Sequence, residues 1–373
     1  MPNSSDWIAT AATLGRDFAT RSAEHDEADS FVSENYAILK EHGLFAAGVP
    51  EELGGGGASH ADLCAIVREL AHHCSSTALA FSMHTHLVAT LAFAWRSGNK
   101  APETMLRRVA AEKLVLVSSG GSDWLPGSGK LVKVEGGYRL TARKIFGSGG
   151  PSGDILMTTG IYDDPTEGPL VYHIPVSLKA EGVKILDTWK VLGMRGTGSH
   201  DIELKDVFVP DAATGGVKRP AGKWHPFMHT VCLAALPVFN AAYLGVAESA
   251  RDLSLKLGAK KKADPALPLL VGEMENQLVT AQLAHASMVQ MVLSEKPGPA
   301  TSSAIMVRRT IFGSAAIKTV EKALEVAGGA GFYRQAGLER LFRDIQAVRY
   351  HPMTEKTQLR FTGQVLLGLD FDS

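Results

Sequence analysis

Leu114-Val-Leu-Val117 is where the pattern of the chain changes, and its reading decides the fold. Before it, apolar residues recur at three- and four-residue spacing, the period of a helix with one buried face. From it onward come short apolar runs broken by Gly, Pro, Asp or Ser: Lys130-Leu-Val-Lys-Val134, Tyr138-Arg-Leu-Thr141, Ile155-Leu-Met-Thr158, Leu170-Val-Tyr-His-Ile174, Val183-Lys-Ile185 and His200-Asp-Ile-Glu-Leu204. That spacing predicts strands with no helix between them. After Pro210 and a loop over 212–226 the helical period returns, with helices expected at 228–258, 265–293, 299–327 and 354–368. The expected class is α+β: an N-terminal helical domain over 1–114, a small middle β domain over 115–212 and a C-terminal helical bundle over 213–373. No GxGxxG follows a strand, so a βαβ dinucleotide fold is not indicated.

Within the first segment, Phe31, Ile38, Leu39 and Leu44 share a helical face that Gly43 can stop. Gly48-Val-Pro-Glu-Glu-Leu-Gly-Gly-Gly-Gly57 has no helical option. Ser59 to His72 reads as an amphipathic helix. Ser76 to Trp95 is apolar almost all round and predicts a buried central helix carrying His84 and His86. At i, i+2 these two point apart, so no shared metal is expected.

A formal net charge of -1 offers no electrostatic basis for binding nucleic acid or an anionic membrane. Cys64, Cys74 and Cys232 are scattered, which argues against a disulfide framework or a zinc site and suits a reducing compartment. Residues 1–20 show no apolar signal core, and no stretch is read as long enough to cross a bilayer. A cytoplasmic location is the expectation.

Reactive side chains concentrate in Arg343-Asp-Ile-Gln-Ala-Val-Arg-Tyr-His-Pro-Met-Thr-Glu-Lys356, which follows the glycine-rich Ala327-Gly-Gly-Ala-Gly331. The order of segments, together with Val49-Pro-Glu-Glu-Leu-Gly-Gly55, Leu192-Gly-Met-Arg-Gly-Thr197, Leu204-Lys-Asp-Val-Phe-Val-Pro210, the glycine-rich stretch and Arg343-Asp344, resembles the acyl-CoA dehydrogenase superfamily of flavoproteins over essentially the whole chain. The resemblance implies a β barrel or sandwich in the middle, a C-terminal four-helix bundle, and a flavin lying between them. Ser118-Ser-Gly-Gly-Ser-Asp123 and Lys144-Ile-Phe-Gly-Ser-Gly149 are similar to the family's two flavin-contacting segments. It therefore implies cofactor contacts at Ser118, Ser119, Ser122, Phe146 and Ser148, and at Gly328, Gly329 and Gly331. An isoalloxazine needs an apolar wall and a few polar partners, which Phe146 and these serines can supply.

The family's catalytic carboxylate is missing. Counting from Arg343-Asp344, its position falls on Pro352, and the alternative position on the first bundle helix, around Cys232-Leu-Ala-Ala-Leu-Pro237, also lacks an acid. His351 stands beside the gap, as in the superfamily's flavin-dependent monooxygenases of the dibenzothiophene type. That likeness implies oxygenase chemistry through a flavin C4a-hydroperoxide, with His351, Ser148 and His84 as catalytic candidates. An imidazole with a pKa near working pH suits such a role. Two other readings stand beside it: α,β-dehydrogenation of an acyl thioester with Glu355 as a displaced base, and a non-catalytic scaffold. Where the family has an arginine motif that grips FAD, this chain has Leu257-Gly-Ala-Lys-Lys-Lys-Ala263. Lysines lack the bidentate fork. The cofactor is therefore FAD or, alternatively, reduced FMN or FAD delivered by a separate reductase. A small hydrophobic or acyl-thioester substrate is expected between the His84 helix, the Phe146 loop and 237–245, in a homodimer or homotetramer.

Overall fold

In a computed structural model that describes residues 4–119, 121–261 and 263–372, the apolar stretch read as a central helix forms α5 (Ser75–Arg96). Ala78, Ala80 and Phe81 are completely buried there. The helix can be apolar all round because α4 (His60–His73) and the long α7 (Pro226–Gly258) both pack on it. A capping box starts α4: the Ser59 hydroxyl accepts from the Asp62 N–H, and the Asp62 carboxylate accepts from the Ser59 N–H at 3.0 Å. Helices α1 (Ser4–Ala19), α2 (Ser22–Glu27), α3 (Ser33–Glu41) and α6 (Glu103–Glu112) complete this part. In the loop between α3 and α4, Gly55 sits so close to the Val49 carbonyl that a Cβ would come within 2.3 Å of its oxygen. Only glycine fits there.

One eight-stranded sheet follows, with β1 (Leu116–Ser118), β2 (Lys130–Val134), β3 (Gly137–Lys144), β4 (Ile155–Asp164), β5 (Gly168–Ser177), β6 (Val183–Ile185), β7 (Ile202–Pro210) and β8 (Lys218–Pro220). The order β6-β7-β3-β2-β4-β5-β8 is antiparallel apart from β1 and β2 against β4. Strand β8 lies in the stretch expected to be loop. It is three residues long, and its proline sits at the sheet edge, where a missing N–H is tolerated. Along β7, Ile202 and Leu204 point inward, then Val207 and Val209. The alternation slips by one at Lys205–Asp206, opposite a register shift in β3.

Helices α7, α8 (Leu267–Ser294), α9 (Pro299–Ala327), α10 (Leu338–Ile345) and α11 (Glu355–Leu367) form the C-terminal part. Its core is continuous with that of the N-terminal helices, from Trp7 to Phe361, whereas the sheet has its own core around Leu140, Leu156, Ile174 and Leu204. Helix α7 contains Pro237, which cannot donate to the preceding turn. Ring N–H groups of two histidines meet carbonyls at this break: His60 at Ala234 (2.7 Å) and His285 at Pro237 (2.9 Å). The expectation that no stretch is long enough to cross a bilayer is corrected. Both α5 and α7 pass by length and composition, but 72% and 89% of their most apolar windows are buried inside the protein. They are core helices.

Candidate active site

The Arg343–Lys356 stretch divides into an anchor and an aromatic cluster around His351. Asp344 is buried and accepts the Met194 N–H at 2.5 Å. Gly193 lies flat against the Arg343 carbonyl, 2.3 Å from where a Cβ would be. Arg343 donates to Asp26 at 2.9 Å, to Glu339 at 2.7 Å and to the Leu192 carbonyl at 3.2 Å. Together these bonds dock Leu192–Thr197 and α2 onto α10. Burial raises the Asp344 carboxyl to about 6; the Met194 N–H opposes that shift and Asp26 adds to it.

Beyond the anchor, the His351 ring stacks on Phe239 (4.8 Å, 23°) and meets Tyr243 edge-on at 5.5 Å, both from α7. Arg309 of α9 donates to the Val348 carbonyl at 2.5 Å and the His351 carbonyl at 2.9 Å. From α5, His86 approaches the other side of Phe239 edge-on at 6.1 Å. Burial, then the Arg309 charge, holds His351 at about 3, and burial holds His86 at about 4. Both rings are neutral at physiological pH. This corrects the expectation of a His351 pKa near working pH.

Three buried polar atoms around His351 have no partner among the described residues: His86 Nδ1, the Tyr243 hydroxyl and Arg309 Nε; Asn240 Oδ1, next to Phe239 in the sequence of α7, is likewise unpaired. Buried polar atoms are nearly always paired, so a cluster of unpaired ones marks a place built for a bound group. His86, Asn240, Tyr243 and Arg309 were not among the expected site residues. Helical periodicity shows that such residues are interior without showing that they share one cluster.

The expected residues fare differently. His84 Nδ1 accepts the Leu116 N–H at 2.9 Å and its Nε2–H donates to the Phe45 carbonyl at 2.7 Å. Both ring nitrogens are committed to backbone groups, which makes His84, expected as a catalytic candidate, a tie between α5 and β1. His86, two residues on, lies edge-on to Phe239 instead. Glu355, the expected displaced base, is exposed at the start of α11 and acts on the Arg309 charge from there.

Phe146 adopts φ 59° and leaves its ring 44% exposed, edge-on to Trp189 at 5.9 Å. Ser148 Oγ is 2.7 Å from Ser199 Oγ, which is 2.7 Å from Thr197 Oγ1. Ser118 is half-buried. The Ser119 hydroxyl is taken up by Asp123, and the Ser122 side chain lies outside the described residues. Asp123 forms a buried ion pair with Lys144 at 2.8 Å, and Lys144 also donates to the Ser128 carbonyl at 2.9 Å. Burial lowers the Lys144 pKa against the pull of Asp123. Gly121 abuts Pro352, 3.1 Å from Cβ to ring, so this segment meets the turn carrying His351.

In the glycine-rich loop, Gly328 is a positive-φ stop of α9 against which Lys261 packs, donating to the Ala327 carbonyl at 2.9 Å. Gly331 is buried against Ala327 and Leu338, and Gly329 has open space beside it. An exposed aromatic face at Phe146 with the Ser148 hydroxyl two residues on, together with the unpaired polar atoms around His351, fits a flat heteroaromatic cofactor.

Comparison with known proteins agrees. The family described as "Acyl-CoA dehydrogenase, N-terminal domain" matches residues 9–112, and "Acyl-CoA dehydrogenase, C-terminal domain" matches residues 237–356. A putative acyl-CoA dehydrogenase of Bacillus subtilis is 28% identical, over 93% of this chain and 92% of its own. A dibenzothiophene monooxygenase of Mycolicibacterium goodii is also 28% identical, over 93% and 90%. The crystal structure of a KijD3 in complex with FMN and a dTDP-amino-keto-sugar superposes with a TM-score of 0.88 at 25% identity, covering 100% of this chain and 96% of that one. The chain belongs to the acyl-CoA dehydrogenase superfamily and is a flavin-dependent oxidoreductase.

Proposed function

We propose that this protein is a flavin-dependent monooxygenase that uses FMN, delivered reduced by a separate reductase, on a small and largely apolar substrate. One observation carries the reading: among the described residues, the rings packed on His351 are Phe239 and Tyr243, Arg309 bonds its carbonyl, and the groups whose charge acts on the ring are Arg309 and His86, not a carboxylate. Removing an α-proton from a thioester needs a strong, positioned base. An imidazole held at about 3 is far too weak for that. It serves as a neutral hydrogen-bonding group, which can orient a substrate or a bound oxygen species without drawing in charge. When bound, a reduced flavin supplies the electrons that activate O2 for transfer to a substrate.

Phe146 forms the apolar wall for the ring, and Ser148 a polar contact at its edge. His351 and His86 line the opposite side from the helical core. The Tyr243 hydroxyl and Asn240 Oδ1 are then available to a polar substituent of the substrate. FMN is favoured over FAD by the FMN-bound relative and by Lys261, which packs on Gly328 in the loop where the adenylate half would be gripped. Exposed Leu269, Leu283 and Leu293 on α8 and Ile311 on α9 support a homo-oligomer through that face.

Stopped-flow mixing of protein and reduced FMN with O2 tests the proposal. A flavin species that persists longer than free reduced FMN does in oxygen, and that is shortened at least tenfold in His351→Ala, is expected. Anaerobic bleaching of the flavin-loaded protein by any acyl-CoA would instead show a dehydrogenase.

A further inference from the structure

We infer that Ser199 and Thr197 are positioning residues that fix the polarity of the Ser148 hydroxyl, so that the site holds reduced flavin in preference to oxidised flavin. The inference rests on the reading above, in which the flavin lies against Phe146 and Ser148.

The argument is one of counting hydrogens. Each hydroxyl owns a single hydrogen and can give it to one partner. The Met194 carbonyl already accepts the Thr197 N–H at 3.1 Å and the Trp189 Nε1–H at 3.2 Å, yet Thr197 Oγ1 lies closer still, at 2.8 Å; two oxygens that near repel unless a hydrogen lies between them, and a carbonyl has none to give, so the Thr197 hydrogen is spent there. The 2.7 Å contact between Thr197 and Ser199 then requires Ser199 to donate. That leaves Ser199 able only to accept from Ser148, also at 2.7 Å. The hydrogens of all three hydroxyls therefore run inward, from Ser148 to Ser199 to Thr197 to the Met194 carbonyl. All three side chains are buried, so water does not readily offer an alternative. The loops cannot easily part: the Gly149 N–H donates to the Thr197 carbonyl at 2.9 Å, and the Gly147 N–H to the His200 carbonyl at 3.0 Å.

The consequence falls on the ligand. Ser148 has no hydrogen left to give and presents only a lone pair, so a group that bonds to it must be a donor. On a flavin ring, N5 is an acceptor in the oxidised state and carries a hydrogen in the reduced state. A fixed acceptor at N5 therefore discriminates between the two states, and favours the form that a separate reductase would deliver. N3 carries a hydrogen in both states and would not discriminate.

Binding of oxidised and of photoreduced FMN is measured anaerobically, by fluorescence and calorimetry, for wild type, Ser148→Ala, Ser199→Ala and Thr197→Val. Thr197→Ser and Ser199→Thr serve as conservative rescues, and circular dichroism confirms folding. Wild type is expected to bind reduced FMN at least tenfold tighter. Ser199→Ala and Thr197→Val free the Ser148 hydrogen and should remove about tenfold of that preference, lowering the bound flavin potential by about 30 mV. The rescues should restore it. If Ser148→Ala weakens flavin binding while Ser199→Ala and Thr197→Val leave the preference unchanged, the relay does not set polarity and the inference is overturned. If Ser148→Ala changes neither affinity, the flavin does not lie against Ser148, and the placement proposed above fails along with the inference.

Discussion

His84 and His86 show how two residues of one type, two positions apart, take opposite parts. His84 gives both nitrogens to backbone groups of β1 and of the turn at Phe45. His86 keeps a buried nitrogen unpaired beside Phe239. Their substitutions should therefore separate cleanly. His84→Ala leaves a buried N–H and a buried carbonyl without partners, and should cost about 2–4 kcal/mol in urea unfolding. His86→Phe removes no bond made within the protein; it should leave the urea midpoint nearly unchanged while lowering turnover more than tenfold. Equal effects of the two on stability would contradict this division. The motif reading singled out His84, whose ring the backbone engages, and not His86, which lies against Phe239. The pattern along an all-apolar helix does not say which neighbour each face meets.

At the scale of elements, the β domain is held at its site end by a buried charge. Lys144, at the end of β3, is fully buried and meets Asp123 and Ser128. Asp123 in turn takes the Ser119 hydroxyl and, at 3.3 Å, that of Thr158. Both charged residues lie inside the two motifs read as flavin segments, and their ion pair anchors those loops. Lys144→Met should destabilise the protein by ~3–5 kcal/mol, because it strands the Asp123 carboxylate in the interior. The double variant Lys144→Met/Asp123→Leu should recover much of the loss, as read from urea midpoints. A single-variant loss below about 1 kcal/mol would mean that the pair is not buried in solution. Strand β8 is not legible in the sequence: it is too short for a pattern, and only its pairing with β5 makes it a strand.

Across the whole molecule, buried neutral histidines set the response to acid. Burial holds His84, His86 and His285 at about 4 and His173 and His351 at about 3, below the ordinary 6.5. The unfolded chain takes up protons near pH 6.5 that the folded chain refuses, so stability falls as pH drops from 6.5 towards 4. Asp344, raised to about 6, acts the other way: the folded state binds its proton first, and its contribution to stability grows as pH falls from 6 towards 4. The desolvated histidines outnumber the one raised carboxyl, and the lowered Glu248 carboxyl acts in the same sense as they do, so acid loss wins. The melting temperature should decline steeply below pH 6.5. Asp344→Asn keeps the acceptor for the Met194 N–H, should be up to about 3 kcal/mol more stable at pH 7, and should decline more steeply still. A melting temperature flat from pH 6.5 to 4.5 would contradict neutral burial of these rings.

The sequence by itself determined the order of helices, sheet and helices, the near-continuous burial of α5, and the lack of an acid at Pro352 and over 232–237. Those are properties of periodicity and of counting along the chain, which need no knowledge of neighbours. Tertiary structure alone decided that Arg343 and Asp344 anchor Leu192–Thr197, that His86 rather than His84 joins His351 around Phe239, and that Tyr243 and Arg309 keep polar atoms unpaired beside it. It also decided protonation: the same imidazole is a base in water and a neutral hydrogen-bonding group when desolvated beside a guanidinium. A side chain's chemistry depends on what surrounds it, and those surroundings come from α5, α7, α9 and the turn before α11, which are far apart in the chain.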